Sequence, residues 1–355
     1  MSRIDQVIIR VQVAWNCERT VEVVAATDKV RQDDLNEIVE WFIGNNSRAY
    51  IQFDRENIFF HPLPYGDFAF GVIDPLSDDV CSNLGQLGYS FVRVLIISPS
   101  VLLAQANNPI AIYERLFCNK ESGIKNITKS PDKLSPLEVP VLQSVCDTDI
   151  LRKVVSAAGA VAISRLFQSL LDSVSTIFRP CKSVSSLFIL SGLFNLLPVR
   201  FRSGLTFSTA LFLSSINPLQ AVGFDGDGKR AIKLAKKSGV SLVDFERFSN
   251  YPQPPQNLCL GRWSQLVLRV LSNGDFAFWE YQIRADAESD NEPEEFTDWQ
   301  ELNDLAIMWQ CKYPKSPITY GACSCKTGEL AEKGLEQSIT AVEMLLADTK
   351  RKPAG

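Results

Sequence analysis

The chain has 355 residues, 46% hydrophobic and 22% charged, a balance that supports two or three packing units with a sizeable core. Asp and Glu (41) outnumber Lys and Arg (36), and the pI is about 5.2. That excludes a chain coated in nucleic acid, which needs a basic footprint, and leaves room only for a local basic patch.

The first unit is expected over 1–125. Gln6 to Trp15 alternates Val7, Ile9, Val11, Val13 and Trp15 against Ile8, Arg10, Gln12 and Ala14, the period of a half-buried strand. With Asp5 near its start and no small-residue cleavage site, this terminus is not read as a signal peptide. Asp33 is placed to cap a helix to about Ile43, with Leu35, Ile38, Val39 and Phe42 on one face. Tyr50–Phe53 and Asn57–Phe60 read as a hairpin, and Phe68–Ile73 as a further strand. Phe91–Ser98 (FVRVLIIS) is a strand apolar enough for burial on both faces. Pro99 and Pro109 each sit where a helix begins.

The polar stretch Asn119–Pro140 reads as a boundary, and a second unit is expected over 140–250. There Asp147 or Thr148 caps a long amphipathic helix towards Phe178, followed by an apolar segment to Leu197 and a strand pattern in RFRSGLTFSTALFL. A basic helix runs from about Lys229 to Lys237 and ends at Ser238-Gly239. After the turn Tyr251–Pro255, a mainly helical third unit is expected over 256–350: Arg262–Leu271, Phe276–Arg284, Trp299–Trp309 and Lys326–Ala347, with an acidic loop at Asp286–Glu295. The expected fold class is α+β, with mixed-sheet first and middle units. No segment is expected to cross a membrane: Gly192, Asn195 and Pro198 interrupt Val184–Val199, and Arg165 and Asp172 lie within Val154–Phe178.

No catalytic constellation emerges. His61 is the single histidine, in the Pro-flanked run FFHPLP, and no GxSxG elbow is present. The nine cysteines (17, 81, 118, 146, 181, 259, 311, 323 and 325) are odd in number and dispersed, which reads as reduced thiols and cytoplasmic location. Cys323-Ser-Cys325 with Cys311 and Cys259 lacks the paired knuckles of structural zinc, so no metal and no cofactor are expected.

Gly223-Phe-Asp-Gly-Asp-Gly228-Lys229 matches G-x4-G-K between a strand and a helix. Arg230 replaces the magnesium-binding hydroxyl, and Asp225 and Asp227 place negative charge in the loop. The residues that would hold a nucleotide are Gly223, Gly228 and Lys229; the competing reading is a Gly/Asp turn before a surface helix. Lys229, Lys233, Lys236 and Lys237 fall at i, i+4, i+7 and i+8 and share one helix face, with Arg200 and Arg202 in the preceding strand region. These six are the candidate partner-binding residues. The bland alternative is a solvated face.

Two blocks carry a resemblance. One is Gly88-Tyr-Ser-Phe-Val-Arg-Val-Leu-Ile-Ile followed by Asn107-Asn108-Pro109, and the other is Leu197-Pro198 to Asn217-Pro218 around Phe207-Ser208-Thr209. Over about a third of the chain they resemble the bacterial GTPase-associated proteins, found beside GTPase genes in conflict or signalling systems. The resemblance implies a non-enzymatic adaptor or regulatory subunit that binds a protein partner, a GTPase among the candidates, and carries over no catalytic residue. Rival expectations are a nucleotide- or phosphate-binding enzyme using Gly223–Lys229, and a structural component of a larger assembly.

Overall fold

The N-terminal alternation becomes strand β1 (Ser2–Val13) in the computed structural model, which describes residues 2–13, 19–43, 50–51, 55–75, 88–118, 134–141, 144–213, 218–248, 260–288 and 298–313. Val7, Ile9 and Val11 are buried on one side, while Arg10 remains exposed. β1 lies between β2 (Arg19–Ala26) and β6 (Gly88–Ile97), antiparallel to both. β5 (Phe68–Ile73) and β4 (Asn57–Pro62) extend this antiparallel half.

At β4 the sheet changes character. β9 (Phe207–Ser208) pairs antiparallel with β4, and beyond it β11 (Ala221–Gly223), β8 (Thr176–Arg179) and β12 (Ser241–Asp244) are all parallel. The order is β12-β8-β11-β9-β4-β5-β6-β1-β2, with β7 (Leu137–Val139) pairing to the start of β1, making ten strands. One sheet thus runs through both of the first two expected units. The described residues belong to a single compact unit formed by Met1–Pro255 with Leu260–Tyr313. The sheet and the surrounding helices make this an α+β fold.

β6 shows why two cores form. Val92, Val94 and Ile96 enter one apolar cluster, whereas Leu95 and Ile97 enter the other. Successive side chains point to opposite faces, so a strand apolar on both must be covered twice. On one face lie α1 (Gln32–Phe42) and α8 (Gly228–Ser238). The larger cluster on the other face takes α4 (Thr148–Ala158), α5 (Ala160–Asp172), α6 (Ser186–Leu196), α10 (Arg262–Asn273), α11 (Phe276–Glu288) and α12 (Glu301–Lys312). There Trp263, Trp279 and Trp309 meet with ring centroids 5.3–5.5 Å apart.

Several local expectations are corrected. The long helix towards Phe178 is two helices bent by 101° at Gly159 (φ +82°), followed by strand β8. Tyr50–Ile51 (β3) does not form a hairpin with β4; it pairs with β10 (Phe212–Leu213), while the hairpin is β4–β5. α1 is capped at Arg31, without a side-chain bond, and Asp33 lies in its first turn. RFRSGLTFSTALFL begins with a helical turn, α7 (Val199–Arg202), before the two short strands β9 and β10. The expected helix Lys326–Ala347 and most of the acidic loop lie outside the described residues.

No single helix among the described residues is long and apolar enough to cross a membrane. The bent pair α4–α5 passes that test only jointly, and its apolar face is spent on the larger core.

Candidate partner-docking face

α8 is built as a one-sided helix. Ala231 and Ala235 are buried, Leu234 packs partly beside them, and the smaller core holds all three. Gly239, left-handed at φ +66°, caps its end through a bond to the Ala235 carbonyl. The opposite face carries Lys229, Lys233, Lys236 and Lys237, all exposed, and the structure adds Arg230 to them. The helix contains no Asp or Glu. Lys229–Lys233 and Lys233–Lys237 are therefore like-charge pairs one turn apart, and Lys229 and Arg230 stand at the positive end of the helix dipole. In a helix taken by itself, like charges at that spacing and cations at that end are each unfavourable.

Arg200 and Arg202 do not extend this face. Both lie in α7, not in a strand. Arg200 is turned towards Asp286 and Glu301, at 3.8 and 3.7 Å, and over the ring of Phe201. Arg202 is 1% exposed and donates to three main-chain carbonyls: Leu197 at 2.9 Å, Ala106 at 3.1 Å and Val145 at 2.7 Å. Burial pushes its pKa down to about 10, so it stays charged at neutral pH. Its carbonyl partners explain its place: it joins the end of α6 to the loop before α4 and to a turn where Ala106 and Asn107 both have positive φ. Asn107 secures the same turn by donating to the Val199 carbonyl. Arg202 holds the fold together and is unavailable to a partner.

The loop Gly223–Lys229 occupies the position expected of a phosphate loop, leaving β11 and entering α8. Its backbone differs from one. None of residues 223–228 has positive φ, so the alternating conformation that turns successive N–H groups onto one anion is absent. Phe224 is buried beneath the loop against Gly226, and Asp225 pairs with Arg55.

His61 lies near the end of β4, edge-on to Trp41 with ring centroids 5.0 Å apart, and its Nδ1 donates to the Pro62 carbonyl at 2.7 Å. Burial lowers its pKa. Cys118, Cys146, Cys181 and Cys311 are free thiols, and burial raises the Cys146 pKa to about 11, away from reactivity. Cys323, Cys325 and Cys259 lie outside the described residues. Among those described, no group of three or more His, Cys, Asp or Glu is placed to hold a metal ion.

One polar cluster was missed from the sequence. Arg179, at the carboxyl end of β8, pairs with Asp244 at 3.0 Å and with Glu246, while Arg247 approaches Asp244 at 3.5 Å. The only sign was a charge closing each of two short apolar runs, TIFR and SLVD. Compared with known proteins, the chain matches no family model and no curated protein.

Proposed function

We propose that the protein is a non-enzymatic adaptor or regulatory subunit that docks an acidic protein partner on the exposed face of α8. The observation that carries this reading is an exposed helix face bearing four lysines and an arginine, on a helix with no Asp or Glu of its own, in a chain of net charge −5. The packing of this helix on the smaller core is carried by Ala231, Leu234 and Ala235. A complementary negative surface would relieve the repulsion among the cations and steer association. The resemblance to GTPase-associated proteins makes a GTPase the first partner to try.

The test is a pull-down with purified GTPases encoded beside this gene, using the parent protein and the double variant Lys233→Glu/Lys237→Glu. The reading expects capture by the parent and loss in the variant, with the fold intact. No association with any neighbouring product, or equal capture by both proteins, would overturn it.

A further inference from the structure

The crossovers of the parallel half-sheet mark out a second site. β8 and β11 are adjacent and parallel. The chain leaving β8 crosses through α6, on the face of the larger core, and reaches β9. The chain leaving β11 crosses through α8, on the face of the smaller core, and reaches β12. The connections diverge to opposite faces, the arrangement that in open parallel sheets leaves a crevice outside the carboxyl ends of two such strands. This is the topological switch point, where open parallel sheets bind their ligands.

Two helices of 11 residues begin beside it, neither with an acidic residue in its first turn. At the start of α6, Ser185 accepts from the Phe188 amide, while the amides of the first two helical residues, Ser186 and Leu187, have no intrahelical partner. The Ser186 side chain is an independent sign. Ser186 is 6% exposed, and its hydroxyl has no hydrogen-bond partner among the described residues. It points at the carboxyl end of β11, where a Cβ on Gly223 would stand 2.6 Å from its Oγ and 2.3 Å from the Thr209 carbonyl oxygen. Only glycine allows this approach, and a buried hydroxyl left without a partner is costly.

The charges around the crevice favour an anion. Asp225 is committed to Arg55, and Asp244 and Glu246 to Arg179. Among the described residues Lys182, Lys229 and Arg230 make no ion pair, and neither does Asp227 at the start of α8.

We infer that this crevice binds a small phosphate-bearing molecule. Its phosphate sits at the start of α6, where it accepts from the Ser186 hydroxyl and amide and is neutralised by Lys182. The start of α8 faces it across the crevice. Recognition uses a helix terminus and a side-chain hydroxyl, so it does not need the loop cradle that Gly223–Lys229 lacks.

The test is calorimetry on the full chain with pyrophosphate and ADP as probes, without magnesium, alongside Ser186→Ala, Lys182→Ala and Lys233→Glu/Lys237→Glu. Binding of at least one probe is expected. Ser186→Ala should weaken it about tenfold, the value of a hydrogen bond to a charged group, without lowering the melting temperature of the free protein. Lys182→Ala, an exposed change, should weaken it with the fold untouched. The α8 double variant should keep binding, which separates this site from the docking face. No heat with either probe at millimolar concentration, or unchanged affinity in both Ser186→Ala and Lys182→Ala, would overturn the inference.

Discussion

Replacing Arg202 by Met tests the account of the α6–α7 junction. Met keeps an unbranched apolar stem and removes the guanidinium. Three charge-assisted hydrogen bonds disappear, to Leu197, Ala106 and Val145. At about 1.5–3 kcal/mol each the loss is roughly 4.5–9 kcal/mol. Part of it is recovered because the buried charge is itself penalised. A pKa lowered from 12.5 to about 10 corresponds to a penalty of roughly 3 kcal/mol. The net expectation is destabilisation by about 2–6 kcal/mol, read from urea unfolding followed by tryptophan fluorescence. Arg202→Lys should be comparably harmful, because one ammonium on a shorter stem cannot reach three divergent carbonyls. Stability within about 1 kcal/mol of the parent for both variants would refute this. It would mean that the carbonyls find water or that Arg202 is more accessible than 1%.

Further outcomes follow from burial and charge. Leu95→Ala and Phe207→Ala, each at a side chain with 0% exposure, should cost about 2–5 kcal/mol by lost transfer energy and cavity formation; near-neutral unfolding would contradict their place in the larger core. His61 is the single histidine, and burial holds its folded-state pKa below the usual 6.5. The unfolded chain therefore takes up the proton first, so this residue's contribution is intact above pH about 6.5 and falls as pH drops below it. His61→Gln should flatten the dependence of unfolding free energy on pH between about 7 and 5, and an unchanged slope would remove His61 from the account. Lys233→Glu with Lys237→Glu should shift stability by no more than about 0.5 kcal/mol; unfolding of this variant would mean that the lysine stems pack against the body.

What the sequence made legible were features with a local period. β6 announced itself through an unbroken apolar run, and it is buried on both faces as that pattern implies. α8 was legible at both ends, with lysines on one face and Gly239 at its cap. Other features depend on tertiary context. Apolar residues continue from α5 into β8, and a buried strand of four residues cannot be told from a helix extension by periodicity. β9 and β10 are too short, at two residues each, to show alternation. Arg202 looked like a surface cation because two of its carbonyl partners lie 57 and 96 residues away in the chain. The switch point beside Ser186 needed the strand order, which no local pattern carries.

The central claim, docking of an acidic protein on α8, is tested most directly by association kinetics as a function of salt. Using a captured neighbouring GTPase, the association rate is measured for the parent and for Lys233→Glu/Lys237→Glu across an ionic-strength series. At about 0.15 M salt the screening length is near 8 Å, so steering by exposed lysines should fade steeply over that range. The account predicts a parent rate that falls with added salt, and a variant that associates more slowly at low salt and loses or inverts that dependence. Identical rates and identical salt slopes for the two proteins would contradict it.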